Sequence, residues 1–393
     1  MNRNAILEGT PPFAAQQADL AGLSALARRR ALIGLAGADF SSNDYLGLAG
    51  SPELGEAVQE ALVRGVPVGS GGSRLLRGNH PEHEALETEA ARFFGCERAL
   101  WFSSGFAANS ALFSTLPQRG DLVVHDELIH ASAHEGMRLG RAERVAVRHN
   151  DANAFALAAS NWRRAGGTGR IWLAVESLYS MDGDRAPLGD LAAIADRHQA
   201  ALLIDEAHAT GLFGPDGRGL AAHLDGRDNV ITLRTCGKAL GCEGALVCAP
   251  AVVADFLVNR GRGFIFSTAP SPLIAACTRA ALAVLRDQPE RREALWQRVR
   301  LAEQVLGPHG VTISGSQILP LIVGGDAETM ALAAALQESG FDVRGIRPPT
   351  VPQGTARLRI AITLNAGEAD IRALGAALAS VGQAERLAAS RRS

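Results

Sequence analysis

The stretch Ala201-Leu-Leu-Ile-Asp-Glu-Ala-His208 decides the fold class of this chain. A short apolar run ends abruptly in charged and polar residues, a pattern typical of a buried strand that stops at a polar edge. Similar apolar runs lie at Ala99–Ser103 and Ile171–Glu176, with segments of helical periodicity between them. Alternation of this kind indicates an α/β fold whose mostly parallel sheet is covered by helices on both faces. Such sheets place their sites beyond the carboxyl ends of the strands, so Asp205 and His208 become candidate site residues.

The same patterns predict three parts of the chain. Residues 1–50 are expected to form an N-terminal helix, from about Pro12 to Arg30, followed by an arm. Residues 51–285 contain the alternating strands and helices of the large domain, and residues 286–393 form a smaller C-terminal α+β domain. We expect one strand of that smaller domain near Val311–Ile313. A chain of 393 residues usually divides in this way.

Lys238, in the stretch Thr-Cys-Gly-Lys (235–238), is the only lysine of the chain, and the other 38 of the 39 basic residues are arginines. Arginine keeps its proton in proteins and cannot act as an amine nucleophile, whereas a buried lysine can. A single lysine in so arginine-rich a chain therefore indicates a site that needs an amine. A surface lysine left by chance is the alternative that composition alone leaves open.

Charge and cysteine content argue against several classes of function. The net charge is −2 without a long run of one sign, so we expect neither nucleic acid nor an anionic membrane as a partner. No signal segment or long apolar run is evident, and the five cysteines form neither a disulfide framework nor metal-ligand spacing. We expect a cytoplasmic protein without a metal site.

Asp205, His208 and Lys238 together suggest pyridoxal phosphate (PLP) chemistry. A lysine that binds the cofactor covalently and an acid that keeps its ring nitrogen protonated are the minimal apparatus for this cofactor. The turn at Ser104-Gly-Phe (104–106) leads from a strand into a helix, and its free N–H groups suit a phosphate. His130 begins the next helix and is placed to stack on a ring, although a helix cap explains it equally well on its own.

Several motifs in order resemble the α-oxoamine synthases, which are fold-type I PLP enzymes related to aspartate aminotransferase. The resemblance runs from about residue 20 to residue 380. Its marks are Asn-Asp-Tyr-Leu-Gly (43–47), Gly-Ser-Gly-Gly-Ser-Arg (69–74), Gly-Asn-His (78–80), Ser-Gly-Phe-Ala-Ala-Asn (104–109), His-Ala-Ser (130–132), Ser-Met-Asp-Gly-Asp (180–184), Asp-Glu-Ala-His-Ala-Thr-Gly (205–211) and Thr-Cys-Gly-Lys (235–238). Arg77 and Cys236 depart from the residues usual in this family.

The resemblance implies a role for each matching residue. Lys238 holds PLP and moves the Cα proton, Asp205 pairs with the ring nitrogen, and His130 stacks on the ring and assists acyl transfer. His208 and Ser180 contact the ring hydroxyl, and the phosphate is bound by Gly105, Phe106 and Thr235. Ser267 and Thr268 contact the phosphate of the partner subunit. Arg359 pairs with the amino-acid carboxylate, and further substrate contacts come from Asn43, Arg28 and Thr350.

The stretch 346–359 most resembles family members that condense L-alanine with a pimeloyl thioester, carried by coenzyme A or acyl-carrier protein. The resemblance thus implies a PLP-dependent acyltransferase that works as a homodimer with shared active sites. Another α-oxoamine synthase, such as a glycine acetyltransferase or an autoinducer-type synthase, is the nearest alternative. A non-catalytic partner subunit would not need Lys238, and the Arg-Pro-Pro-Thr stretch (347–350) disfavours an aminotransferase.

Overall fold

The computed structural model describes residues 11–390, without the side chains of residues 382–390, so the first 10 residues of the predicted N-terminal part and the last three of the predicted C-terminal domain lie outside the described residues. The helices are α1 (Ala14–Ala25), α2 (Pro52–Val63), α3 (Pro81–Phe94), α4 (Gly105–Thr115), α5 (Ala131–Leu139), α6 (Ala152–Arg164), α7 (Leu188–His198), α8 (Ala251–Arg260), α9 (Arg262–Ile265), α10 (Pro272–Asp287), α11 (Pro289–Leu306), α12 (Asp326–Glu338) and α13 (Glu368–Ser390). The strands are β1 (Ala38–Asp39), β2 (Arg98–Phe102), β3 (Leu122–Asp126), β4 (Glu143–Val147), β5 (Ile171–Glu176), β6 (Ala201–Asp205), β7 (Val230–Thr235), β8 (Ala245–Ala249), β9 (Ile318–Gly324), β10 (Phe341–Asp342), β11 (Arg344–Ile346) and β12 (Ala356–Ala361).

The large sheet has seven strands in the order β2-β8-β7-β6-β5-β3-β4. All pairs are parallel except those of β8, which runs antiparallel to both β2 and β7. Every residue of the central strands β5, β6 and β7 is buried, as expected for strands covered on both faces. The prediction of a mostly parallel α/β sheet is therefore confirmed.

Parallel pairing brings the ends of β5 and β6 to the same edge of the sheet. Glu176, the last residue of β5, lies opposite Asp205, the last residue of β6, and Leu233 of β7 follows in the same register. Consequently the polar residues just beyond these strands converge at one place.

A second sheet, with three antiparallel strands in the order β11-β12-β9, lies in the C-terminal part of the chain. The N-terminal arm reaches this part, since β1 pairs in parallel with β10. Helix α10 packs against α2 and α3, whereas α11 packs against α13. The expected boundary at residue 285 lies at the end of α10, and the division into domains stays a prediction.

Two expected elements differ from the structure. Helix α1 ends at Ala25 rather than near Arg30, because Ala27 adopts a left-handed backbone (φ 54°) and the N–H groups of Arg28 and Arg29 bond to the Leu23 carbonyl. No strand forms at residues 311–313, although Thr312 N–H donates to the Pro320 carbonyl (2.8 Å). Proline has no N–H to return, so the second bond of an antiparallel pair is missing.

Candidate active site

The ends of β6 and β7 bring the unique lysine to His208. Lys238 lies in the loop between β7 and β8, and its Nζ is 2.6 Å from Nε2 of His208. Burial and, to a smaller extent, the charge of Arg359 lower the pKa of the Lys238 amine, whereas the Asp205 and Glu176 carboxyl groups raise it; the net result is a pKa of about 8. An amine with this pKa is available in its neutral form close to neutral pH.

A hydrogen-bonded chain extends from Lys238 to Arg359. Burial, and then the charges of Lys238, Arg359 and His130, hold the pKa of His208 well below its usual range, so its ring is neutral. With Nε2 accepting from Lys238, Nδ1–H donates to the hydroxyl oxygen of Tyr45 at 2.7 Å. Tyr45 O–H donates in turn to Oδ1 of Asn43 at 2.9 Å.

Arg359, on β12, closes this chain from the second sheet. Its Nη2 donates to Asn43 Oδ1 (3.0 Å) and to the Tyr45 hydroxyl (3.3 Å), and its Nε donates to the Ser180 carbonyl (2.6 Å). Arg359 is 6% exposed, and its buried charge acts on Lys238. Tyr45 is fully buried and belongs to this cluster. The sequence motif at 43–47 contains it, but our assignment of roles missed it.

Asp205 is held by two donors. Its Oδ2 accepts from Asn109 Nδ2 (2.7 Å) and its Oδ1 accepts from the Ala207 N–H (2.9 Å). Asn109 lies on α4 and is 4% exposed, and its role was also missed. A polar residue on the buried, alanine-rich face of a helix is the signal that could have identified it. His130, the residue before α5, has its Nδ1 2.7 Å from the Ser132 hydroxyl.

Glu176 is a further buried group beside Asp205. Its Oε2 accepts from the Ser180 N–H (3.2 Å), and its Oε1 has no partner among the described residues. Burial and the neighbouring Asp205 raise the pKa of Glu176 well above its usual range, although Lys238 opposes the shift. The sequence offered only one signal for this residue, an acidic side chain at the end of an otherwise apolar strand.

The N-terminus of α4 faces Thr235. Ser104 caps the helix by accepting from the Ala107 N–H (3.0 Å), so the N–H groups of Gly105 and Phe106, which have no partner within the helix, point outward. A Cβ placed on Gly105 would meet its nearest atom, Oγ1 of Thr235, only at 3.7 Å. The backbone at Gly105 is therefore not crowded, and the Thr235 hydroxyl lies beside it.

Four predicted residues lie elsewhere. After α9, Ser267 is half-buried and Thr268 is exposed, and no hydrogen bond among the described residues links them to Lys238. Arg28 pairs with Asp326 (2.6 Å), at the start of α12, and Thr350, between β11 and β12, accepts from Arg30 (3.3 Å), so both lie where the segment after α1 contacts the C-terminal part of the chain.

The two departures from the family pattern differ in setting. Arg77 is exposed, whereas Cys236 is fully buried in the main core beside the lysine loop.

Within residues 11–390, no helix combines the length and apolar composition that a membrane crossing requires. In the same residues, no group of three or more His, Cys, Asp or Glu side chains is arranged to hold a metal ion.

The donor set fits PLP. A buried amine of lowered pKa, a buried carboxyl group whose oxygens keep free lone pairs, and an open helix N-terminus are the three features that an aldehyde, a pyridine nitrogen and a phosphate require.

Comparisons with known proteins agree with this geometry. The family model "Aminotransferase class I and II" matches residues 37–374. The chain is 44% identical over 348 residues to the 8-amino-7-oxononanoate synthase of Geobacter sulfurreducens, which covers 87% of this chain and 88% of that protein. It is 43% identical over 357 residues to the enzyme of the same name from Anaeromyxobacter dehalogenans, with coverage of 90% and 87%.

Solved structures give the same answer. Serine palmitoyltransferase from S. paucimobilis with bound PLP–myriocin aldimine superimposes with a TM-score of 0.85 at 28% identity, covering 95% of this chain and 98% of that one. The 8-amino-7-oxononanoate synthase of Francisella tularensis gives a TM-score of 0.74 at 26% identity, with coverage of 89% and 99%. The chain therefore belongs to the aminotransferase class I and II family and is a fold-type I enzyme that depends on pyridoxal phosphate.

Proposed function

We propose that this enzyme condenses L-alanine with a pimeloyl thioester, carried by coenzyme A or acyl-carrier protein, and releases CO2 and the carrier thiol. The product is 8-amino-7-oxononanoate, an intermediate of biotin biosynthesis. The names of relatives at 43–44% identity over most of the chain support this reaction. The proposed location is the cytoplasm, as the sequence predicts.

The cofactor is held by residues from four places in the fold. Lys238 binds it covalently, Asp205 pairs with its ring nitrogen, and His130 stacks on its ring. The N–H groups of Gly105 and Phe106 and the Thr235 hydroxyl take the phosphate, and His208 and Ser180 approach the ring hydroxyl. When bound, PLP supplies an electron sink for the negative charge that develops at the substrate carbon.

The observation that carries the proposal is the setting of Lys238, whose amine lies 2.6 Å from a neutral imidazole and has a pKa of about 8. A neutral amine can take the Cα proton of the amino acid and return it later. His208 Nε2 accepts a hydrogen bond from the ammonium that results. Arginine could not replace Lys238, because a guanidinium does not release its proton.

Arg359 binds the carboxylate of the amino acid. Its Nε is fixed by the Ser180 carbonyl and its Nη2 by Asn43, so the guanidinium plane is set before substrate arrives. Arg28 and Thr350 border the acyl chain. Since Arg28 is paired with Asp326, a carboxylate at the far end of the acyl chain has to compete with that residue.

The working unit is a homodimer with shared active sites. Thr268 is exposed, and among the described residues neither Ser267 nor Thr268 forms a hydrogen bond with Lys238 of its own chain, which suits contact with the partner subunit's phosphate. Large apolar side chains are also exposed around this segment and the glycine-rich loop, as in a surface covered by a second copy: Val63 (89%), Val68 (69%), Leu76 (84%) and Phe266 (71%).

The reaction is tested by following release of coenzyme A from pimeloyl-CoA with a panel of amino acids. We expect turnover with L-alanine, little with glycine or L-serine, and none with the matched Lys238→Ala variant. Activity with glycine but not alanine would refute the substrate assignment. A purified protein that is colourless and gains no absorbance band with added PLP would refute the cofactor assignment as well.

A further inference from the structure

Three hydrogen bonds connect Asp205 to His130 through two residues that touch neither cofactor nor substrate in our assignment. Asn109 Nδ2 lies 2.7 Å from Asp205 Oδ2 and 3.0 Å from Ser132 Oγ. The same hydroxyl oxygen lies 2.7 Å from Nδ1 of His130. Asn109 is 4% exposed and Ser132 1% exposed, so water does not compete for these bonds.

The close approach of α4 and α5 keeps the bond between Asn109 and Ser132 short. Where the two helices cross, a Cβ on Gly136 would lie 2.8 Å from the Phe113 side chain and 2.9 Å from the Asn109 carbonyl oxygen. Only glycine fits there without displacing a helix. Gly136 thus lets the side chain of Asn109, on α4, reach Ser132, on α5.

The direction of the bonds follows from the chemistry of the groups. A carboxylate only accepts hydrogen bonds, so the amide nitrogen of Asn109, and not its oxygen, faces Asp205. The second N–H of this nitrogen then points to the Ser132 oxygen, which leaves the hydroxyl proton free to be donated onward. Asn109 therefore donates to both Asp205 and Ser132, and Ser132 donates to His130.

Nδ1 of His130 is the end of this chain. Besides the hydroxyl, the backbone N–H of Ser132 points to the same nitrogen at 3.3 Å. A backbone N–H can only donate, so Nδ1 carries a lone pair and the ring proton lies on Nε2.

We propose that Asn109 and Ser132 are positioning residues that hold His130 in its Nε2–H tautomer and tie its ring to the Asp205 carboxylate. His130 then offers a hydrogen-bond donor at Nε2, and not a base, to a carbonyl oxygen of the acyl thioester as that oxygen gains negative charge. The role of the donor rests on the proposed function, but the tautomer does not.

The charges around His130 agree with a neutral ring. Burial lowers the pKa of His130, Lys238 on the lysine loop and His134 on α5 lower it further, and Asp205 at the end of β6 opposes the shift. Protonation of Nδ1 would also break two hydrogen bonds, one from the hydroxyl and one from the backbone.

Nitrogen-15 NMR of the holoenzyme with labelled histidine tests the tautomer directly. The chain has 10 histidines, and the His130 signals are assigned by their loss in His130→Gln. We expect a protonated Nε2 and an unprotonated Nδ1 in the wild type, and a partial shift towards a mixture of tautomers in Ser132→Ala, where only the longer bond from the backbone N–H (3.3 Å) remains. A protonated Nδ1 in the wild type, or a Ser132→Ala spectrum identical to it, would overturn the proposal.

Kinetics supply the second readout. Asn109→Ala and Ser132→Ala should each lower kcat by about tenfold, the effect of one lost hydrogen bond to a charged or reacting group, with KM for the amino acid nearly unchanged. Ser132→Thr keeps the hydroxyl and should recover most of kcat. Ser114→Ala, a matched change on α4 away from the chain, should leave kcat unaltered. Unchanged kcat in Asn109→Ala and Ser132→Ala, with the expected tautomer in the wild type, would refute the positioning role.

The two proposals fail separately. An enzyme that does not use a pimeloyl thioester but keeps the Nε2–H tautomer refutes the reaction and leaves the hydrogen-bonded chain standing. Retention of the cofactor absorbance band in each variant checks that the fold and the cofactor site persist.

Discussion

At the scale of single residues, the chemistry depends on the pH at which Lys238 loses its proton. Its amine is surrounded by buried groups of both signs, and burial outweighs the attraction of Asp205 and Glu176. The neutral His208 adds a partner without adding a charge. The lysine is therefore kept close to the point at which both protonation states are populated at physiological pH.

This setting predicts the pH dependence of amine labelling in the cofactor-free enzyme. Because the pKa of Lys238 is lowered to about 8, its reaction with an acylating reagent should rise with pH through a midpoint near 8 instead of near 10.5. No other lysine competes in this sequence, so mass spectrometry of the peptide containing residue 238 gives the rate without ambiguity. A midpoint close to that of a free lysine would contradict the proposed environment. The Lys238→Arg variant is the unreactive control.

At the scale of elements, the N-terminus of α4 combines free N–H groups, the proposed phosphate site, with a tight connection. The strand β2 leads directly into Ser104, which caps the helix and leaves the first two N–H groups free. Since the macrodipole adds positive potential at this end, a phosphate is stabilised there by the fold itself. The absence of a side chain at Gly105 keeps the space open.

We expect Gly105→Ala to weaken cofactor binding without lowering the stability of the fold. The added Cβ clashes with no described atom and alanine favours a helix, so the melting temperature should not fall. The methyl group nevertheless narrows the space between Gly105 and the Thr235 hydroxyl, both of which are proposed to contact the phosphate, so affinity for PLP should fall about tenfold or more. Titration of the cofactor by absorbance measures the affinity.

Gly189→Ala is the matched control, because it places a methyl group in the first turn of α7, where no atom lies within 4 Å. Equal loss of affinity in both variants, or no loss in Gly105→Ala, would argue against phosphate binding at α4.

At the scale of the whole molecule, the active site joins three bodies of structure. The large sheet provides Asp205, His208 and Lys238, while the strand β12 of the smaller sheet provides Arg359. The N-terminal arm provides Asn43 and Tyr45, which bond to both sides. In the proposed homodimer, the segment at Ser267 and Thr268 faces a second copy of the chain.

Shared sites predict complementation between inactive variants. Lys238→Ala lacks the amine, and Thr268→Glu places a negative charge where the partner subunit's phosphate is expected. Each homodimer should be inactive, but a heterodimer of the two contains one intact site. Co-expressed chains with different tags should therefore yield a purified heterodimer with about half the wild-type activity. A heterodimer without activity, or a Thr268→Glu homodimer with full activity, would contradict sharing.

The sequence by itself determined the fold class and the central chemistry of this protein. Apolar runs ending in polar residues identified the sheet and its functional edge, and the single lysine indicated an amine. These features are local, since strand burial and the choice of lysine over arginine are written in a few consecutive residues. The end of α1 and the missing strand at 311–313 depended on backbone details at Ala27 and Pro320.

Only the tertiary structure decided how the site is held together. Asn109 and Asp205 are 96 positions apart, and Tyr45 and His208 are 163 positions apart, yet each pair shares a short hydrogen bond. The pKa values of Lys238, His208 and Glu176 likewise depend on burial and on charges brought from distant elements. No local pattern encodes these distances, because they result from the register of the strands and the packing of α4 on α5.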